Sequence, residues 1–134
     1  MEESQKDKIV DYWKEGAKKS IKLANDVLEK KHYDHSLFCG HLALEKILKS
    51  ETVKLTDKSA PHSHDLLYLA GLAKIDLNIE QQKFLTEVNS FNIEGRYPEE
   101  KLEFYKSITK DFATEKLKKI NEFYLWLSKQ NGKN

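Results

Sequence analysis

The sequence predicts an all-α protein, an antiparallel bundle of five to six helices forming one domain over residues 1–134 with an ordered core at about 6–129. Apolar residues recur every three or four positions along most of the chain, as on one face of a helix. No segment alternates between apolar and polar residues as a strand does. A length of 134 residues fits one core, and 34% charged residues suit helices with a charged outer face.

The first two helices form a predicted hairpin. A polar turn at residues 32–36 separates them, and a turn this short predicts that they run antiparallel. Either Asp34 or Ser36 is the predicted N-cap of the second helix, which continues to about Ser50. The first helix spans Lys6 to Lys30, where the apolar residues keep the spacing of one helical face: Ile9, Trp13, Ala17, Ile21, Ala24 and Leu28.

The rest of the chain alternates polar breaks with further helices. Residues 51–63 are polar, contain Pro61 and lack sustained periodicity, so they predict a loop. A short third helix begins at Ser63 or Asp65. The fourth predicted helix runs from Ile79 to Asn92, and Gly95 with Pro98 marks its exit. A fifth helix runs from Leu102 to about Lys110. The last helix runs from Thr114, which is its predicted cap, to Lys129, and residues 130–134 form a tail that should fray.

Composition and charge exclude several classes of protein. No stretch approaches the roughly 20 apolar residues of a transmembrane helix, and the polar N-terminus lacks the apolar core of a secretory signal. We therefore expect a cytoplasmic protein without membrane association. The only cysteine, Cys39, lies among apolar residues, which predicts a buried thiol. Since 23 basic residues balance 22 acidic ones to a net charge of +1, any binding of nucleic acid has to be local.

One helical stretch carries the strongest functional signal. His41, Glu45 and Lys49 are four residues apart, so they lie one turn apart on one edge of the second helix. The other positions between 37 and 48 are mostly apolar, which predicts that this helix is the central one of the bundle. Because burial of an unpaired charge is costly, these side chains need hydrogen-bond partners, ion pairs, water or a ligand.

The order of the helices predicts where other polar residues lie. A second helix of about 15 residues separates its ends by roughly 22 Å, so the turn at 32–36 is far from the loop that contains His64. If the third and fourth helices are antiparallel, Arg96 returns to the end that holds His64 and Lys49. A metal-dependent phosphohydrolase site at residues 62–65 is a weaker alternative, because the distant turn cannot supply the further metal ligands that such a site needs. The prediction is a site at the His64 end, with no metal and no cofactor.

Three segments of the chain resemble the HEPN family of small helical domains. Residues 39–49 are similar to the helix of that family with the pattern A-x-E-K-x-x-K, and residues 61–69 to its helix start P-x-T/S-H-D/N-L-x-x-L. Residues 96–98 match its R-Y-P motif. The resemblance extends from about Ile9 to Leu127 and depends on the set of motifs in this order, since each string alone occurs by chance.

The resemblance implies a bundle of about five helices, often a homodimer, with a polar groove that binds nucleotide or RNA. It also implies a partner, because many prokaryotic members act with a minimal nucleotidyltransferase in toxin–antitoxin pairs. Catalytic members are metal-independent ribonucleases in which a histidine follows an arginine after four to six residues. This chain has no histidine at that distance from Arg96, so the resemblance favours a binding protein over an enzyme.

We predict no catalytic residue and five binding residues: Glu45, Lys49, His64, Arg96 and Tyr97. Arg96 would clamp phosphate with its planar guanidinium, and Tyr97 would stack on a base. His64 would contact phosphate at the start of the third helix, while Glu45 would orient Lys49.

Each candidate also has a structural alternative. Tyr97 can be a core aromatic, His64 a neutral side chain packed near a helix cap, and Glu45 with Lys49 an ordinary ion pair along one helix. Arg96 can pair with a neighbouring carboxylate on Glu94, Glu99 or Glu100.

Two other functions stay open at the level of sequence. One is a ribonuclease in which His64 or His41 replaces the missing acid and base. The other is a helical interaction module whose exposed aromatic residues, Tyr12, Tyr124 or Trp126, form a dimer or partner interface.

Overall fold

The computed structural model describes residues 1–94 and 96–132, the last three of them as helix backbone only. In these residues there are six helices and no strand, which confirms the predicted all-α bundle of five to six helices. The predicted exit at Gly95 and the last two residues of the predicted tail lie outside the described residues. The helices are α1 (Glu3–Glu29), α2 (Tyr33–Thr56), α3 (Leu66–Leu72), α4 (Ile79–Asn89), α5 (Pro98–Ser107) and α6 (Lys110–Gly132).

Helix α2 is the centre of the bundle, as its apolar circumference predicts. It packs most extensively on α1, then on α6, and also contacts α3 and α4. Gly40 allows the close approach of α6, because a Cβ at that position would lie 2.8 Å from the Cδ1 atom of Ile120. The residues buried completely on α2 include Leu37, Ala43, Leu44 and Leu48.

The start of α2 differs from the predicted cap. The helix begins at Tyr33 with His32 as its N-cap, and neither Asp34 nor Ser36 occupies that position. The hydroxyl of Ser36 instead donates a 2.8 Å hydrogen bond to the carbonyl of Ala24 on α1, so this buried residue fastens the two helices together. The prediction of a serine cap was wrong, because the hydroxyl of Ser36 bonds a carbonyl of the neighbouring helix instead of the N-terminus of its own helix.

The end of α2 lies six residues beyond the predicted end at Ser50, and the predicted loop at 51–63 is correspondingly shorter. Polar residues in this last stretch are buried because their side chains bond the backbone of their own helix. The Ser50 hydroxyl donates to the carbonyl of Ile47, and that of Thr52 donates to the carbonyl of Leu48. The C-cap that follows Thr56 is Asp57, whose backbone is left-handed with φ 60°.

The later helices begin earlier than predicted or end sooner. Helix α5 starts at Pro98, not Leu102, since proline fits the first position of a helix. Helix α6 starts at Lys110, and Thr109, not Thr114, accepts a hydrogen bond at its start, from the backbone N–H of Phe112. Helix α4 starts at Ile79 as predicted but ends at Asn89 rather than Asn92. In the described part of the chain, none of the helices has the length and apolarity needed to cross a membrane.

Candidate functional site

A buried carboxylate organises the polar residues at one end of α2. Glu45 is only 5% exposed, and each of its two carboxylate oxygens accepts one hydrogen bond. Its Oε1 atom accepts from Nδ1 of His64 at 2.8 Å, and its Oε2 atom accepts from Nζ of Lys49 at 2.9 Å. Because a carboxylate can only accept, Nδ1 of His64 carries a proton and Nε2 is the ring nitrogen left for other contacts.

His41 contacts this cluster from the interior of the bundle. It is completely buried, and its Nε2 donates a 3.0 Å hydrogen bond to the backbone carbonyl of His64. Its Nδ1 atom lies 3.9 Å from Oε1 of Glu45 and, in the described residues, is the buried side-chain polar atom without a hydrogen-bond partner. Burial lowers the pKa of His41, against the opposing effects of the His64 carbonyl and Glu45, and favours the neutral ring.

Lys49 is a supporting residue in this structure rather than an exposed ligand. Its side chain is buried, its ammonium group bonds Glu45, and Nζ lies 5.2 Å from the centre of the Trp13 ring on α1. A cation at this distance from an indole is attracted by the negative face of the ring. The predicted contact of Glu45 with Lys49 is therefore present, while a direct contact of Lys49 with a bound molecule stays a prediction.

The loop before α3 exposes the imidazole of His64 to solvent. The side chain of His64 is 66% exposed, although its Nδ1 atom is bonded to a buried carboxylate. The next residue, Asp65, caps α3 by accepting from the backbone N–H groups of Leu67 and Tyr68, which confirms Asp65, one of the two predicted positions, as the start of this helix. Asn89, at the end of α4, donates to Asp65 and accepts from the N–H of Leu66, so α4 fixes the start of α3.

Arg96 lies in the segment that follows this end of α4. Its guanidinium donates to the carbonyl of Ser90, the residue after Asn89, and lies 5.5 Å from the ring of Phe104. Among the described residues it forms no ion pair with the three neighbouring glutamates considered above. Tyr97 is 74% exposed at the N-cap of α5, so it is not the core aromatic of the structural alternative.

The structure therefore brings together three of the five predicted site residues. Glu45, Lys49 and His64 form one hydrogen-bonded cluster. Arg96 and Tyr97 lie in the segment between α4 and α5, where Arg96 donates to the carbonyl of Ser90. In the described residues no hydrogen bond or ion pair joins Arg96 to His64 or Lys49, so their proximity stays a prediction.

Sequence reasoning left three supporting residues out of the site. Trp13 has the spacing of a core residue, and its position over Lys49 depends on how α1 packs on α2. Asn89 belongs to no motif, because the residue that it contacts, Asp65, is 24 positions away in the sequence. His41 belongs to the polar stripe, which was the available signal, but its partner is a backbone carbonyl that sequence does not reveal.

Two of the three aromatic residues that were predicted to be exposed have different surroundings. Tyr124 and Trp126 are half-buried against the core, whereas Tyr12 is exposed. The rings of His32 and His35, 6.5 Å apart, lie at the turn between α1 and α2. Over the described side chains, no three His, Cys, Asp or Glu residues are grouped so that they could hold a metal ion.

Comparison with known proteins places this geometry in a family. The profile of the HEPN domain matches residues 10–130. The crystal structure of TT1696 from Thermus thermophilus is similar, with a TM-score of 0.74 and 18% sequence identity over 90% of this chain and 96% of that chain. At this identity the likeness shows a shared fold. No curated protein sequence matches the chain.

The fold and the cluster define a class of protein, a helical bundle with a polar site built on its central helix. Because the family profile covers nearly the whole sequence, this chain belongs to the HEPN domain family. Its place in the subgroup with the Arg-Tyr-Pro motif stays a prediction from residues 96–98.

Proposed function

We propose that this HEPN domain binds a nucleotide or the end of an RNA chain where the loop before α3 meets the segment before α5. The ligand contacts His64, Arg96 and Tyr97. The carboxylate of Glu45, which is paired with Lys49, orients the ring of His64. Membership of the family supports nucleotide or RNA binding as the general function.

The observation that carries this proposal is the geometry of His64. A buried carboxylate fixes one ring nitrogen, so the imidazole presents the other to solvent in one orientation. Prior orientation of a side chain lowers the entropy lost when a ligand binds. Arg96, the only arginine of the chain, and the exposed ring of Tyr97 add the groups that hold phosphates and bases.

Calorimetric titration with ATP and with a short RNA tests the site. Wild-type protein should bind at least one of them, and the Arg96→Ala variant should bind about tenfold or more weakly with an unchanged melting temperature, since a charge-assisted bond to phosphate is lost. Lys101→Ala is the matched control, because it removes one exposed positive charge from α5 and should retain binding. Equal affinity in all three proteins, or no binding by any, would contradict the proposal.

We also propose that the protein acts with a minimal nucleotidyltransferase in a toxin–antitoxin or related defence system, and that it forms a homodimer. The family resemblance supports both. Two surfaces are suited to such contacts, the exposed face of α5 with Leu102 and Tyr105, and a groove of about 520 Å³ between α4 and α6 that Phe84 and Trp126 line. Co-purification with a nucleotidyltransferase encoded beside it, and light scattering of each protein alone, test these statements.

Metal-independent RNA cleavage is a second candidate function, favoured by the hydrogen bond between Glu45 and His64. A carboxylate that orients an imidazole is the arrangement of a general base. Nε2 of His64 would take the proton of a ribose 2′-hydroxyl, the 2′-oxygen would attack the adjacent phosphorus, and the 5′-oxygen would leave with a proton from water. Cleavage of RNA in the presence of EDTA, lost in His64→Ala and on 2′-deoxy substrate, would support it; intact RNA would leave binding alone.

A further inference from the structure

The protonation state of His64 determines the net charge of the cluster formed by Glu45, Lys49 and His64. The carboxylate of Glu45 and the ammonium of Lys49 are 2.9 Å apart and balance each other. The neutral form of His64 therefore leaves this cluster without net charge, and the protonated form gives it one positive charge. His64 is also the member that is open to solvent, with a side chain that is 66% exposed.

We propose that anion binding at this site is coupled to proton uptake, in that His64 gains one proton at Nε2 when a phosphate group of the ligand binds. This inference rests on the proposed function and names its regulation. The hydrogen bond from Nδ1 to Glu45 leaves Nε2 as the nitrogen that meets the ligand. An unprotonated Nε2 presents a lone pair that repels a phosphate oxygen, whereas a protonated one donates a charge-assisted hydrogen bond.

The titratable and charged groups nearest His64 come from α2 and from the loop before α3. On α2, one oxygen of the Glu45 carboxylate accepts a hydrogen bond from Nδ1 of His64, and the other accepts one from the ammonium group of Lys49. His41, also on α2, has a pKa that burial lowers, which favours its neutral ring, and its Nε2 donates a hydrogen bond to the backbone carbonyl of His64. The loop that contains His64 adds exposed His62 and the helix cap Asp65. Further from the ring, Trp13 on α1 lies over Lys49, and Asn89 on α4 donates a hydrogen bond to Asp65.

Imidazole is the side chain that ordinarily changes its charge between about pH 5 and 8, so the coupling falls in a measurable range. The ligand must not titrate in that range itself. A short RNA with hydroxyl groups at both ends meets this condition, because only phosphodiesters remain. A second RNA with a 5′-phosphate then distinguishes a terminal monoester from a diester as the bound group.

Calorimetric titration of the full chain with the hydroxyl-ended RNA, in buffers of different ionisation enthalpy at about pH 7.5, measures the protons taken up. We expect uptake approaching one proton, and an affinity that falls by up to about tenfold for each pH unit above the midpoint. His64→Gln keeps a neutral donor but cannot gain the proton, so its affinity should be lower and nearly independent of pH. His62→Gln, two residues away in the same loop, is the matched control and should behave as wild type.

The outcomes separate the two proposals. Binding without proton uptake in the wild type, or uptake that survives in His64→Gln, overturns this inference and leaves the binding site intact. Loss of the coupling in His62→Gln instead overturns it by assigning the proton to the other histidine. No binding at any pH overturns the proposed function and this inference together. Imidazole ¹⁵N shifts of His64 with and without RNA provide a second readout that does not depend on a variant.

Discussion

Each oxygen of the Glu45 carboxylate has its own donor, and this pairing determines what substitutions in the cluster should do. The interaction with Lys49 is buried on both sides, unlike the exposed pair of Lys22 with Asp26 on α1. Removal of one partner from a buried pair leaves an uncompensated charge in a poorly solvated place. Exposed pairs contribute little, since water and salt screen them.

Glu45→Gln should therefore destabilise the protein by about 3 kcal/mol, because Lys49 stays buried without its counter-charge. Addition of Lys49→Met should recover at least half of that loss, since the unpaired charge is removed as well. Urea unfolding followed by circular dichroism measures both. Asp26→Asn is the control and should leave the unfolding midpoint unchanged. A Glu45→Gln variant as stable as the wild type would contradict the assignment of a buried ion pair.

His41 predicts a pH dependence of stability whose sign follows from its environment. Burial lowers its pKa in the folded state below the ordinary value of 6.5, so the unfolded chain binds a proton more readily. The stability contributed by the neutral ring is complete above about pH 6.5 and is lost as the pH falls from there towards the lower folded-state pKa.

His41→Gln keeps a donor towards the His64 carbonyl but does not titrate. Its melting temperature should consequently decline less than that of the wild type between about pH 6.5 and 4.5. Differential scanning calorimetry across this range measures the difference, with His35→Gln at the far end of α2 as control. Parallel curves for wild type and His41→Gln would show that His41 does not cause the acid sensitivity.

Among the elements, α2 shows why helix identity was predictable and helix ends were not. Its apolar positions predicted a central helix, because burial on most sides leaves a nearly continuous apolar surface. The pattern fails after Ser50, where Glu51 and Thr52 are polar yet buried. Hydrogen bonds from side chains to nearby carbonyls satisfy Ser50 and Thr52, and composition does not reveal such bonds.

Two glycines within helices should respond to alanine in opposite ways. Gly71→Ala on α3 meets no atom within 4 Å, so it should stabilise the protein by up to about 1 kcal/mol through helix propensity. Gly40→Ala on α2 places a Cβ 2.8 Å from Cδ1 and 3.3 Å from Cγ2 of buried Ile120. We expect a net loss of about 1 kcal/mol or more, because the packed core has little room to yield.

Urea unfolding of the two variants measures this contrast. Ile120→Val removes the Cδ1 atom that the new methyl group meets, so the Gly40→Ala/Ile120→Val double variant should lose less stability than the two single changes added together. Additive losses would mean that the contact between α2 and α6 is not the cause.

For the whole molecule, the stability of the helices against local opening should differ. Helix α5 has no buried residue, and Phe104, which meets Phe91 at a ring distance of 6.0 Å, is its inward contact. Helix α2 lies at the centre with most of its residues buried. Free energies of local opening follow the burial of each element.

Hydrogen exchange should therefore be fast for the amides of α5 and slow for the middle of α2. The free energy of opening for α2 should approach that of global unfolding, while that of α5 should be lower by at least about 2 kcal/mol. Mass spectrometry of exchanged peptides measures both, and α6 serves as the control for a long, well-packed helix. Equal protection of α5 and α2 would indicate that α5 is covered, for instance by a second copy of the chain.

The candidate site was predictable in its location more than in its construction. Motifs and helix order placed His64, Arg96 and Lys49 at one end because antiparallel helices return the chain there. Which side chains face solvent depends on rotation and packing of helices, so the burial of Lys49 under Trp13 was not deducible from spacing. A contact through a backbone carbonyl, such as that of His41, leaves no mark in the sequence.

The two hydrogen bonds that the Glu45 carboxylate accepts also constrain which substitutions evolution can tolerate in this sequence. A change at position 45 alone leaves one buried donor and one loop residue without an acceptor, so a tolerated change there needs compensation at positions 49 and 64. We therefore expect these three positions to vary together among homologous chains, with an apolar residue at 45 accompanied by an uncharged residue at 49. Such paired replacements would identify relatives that kept the fold without the proposed binding site.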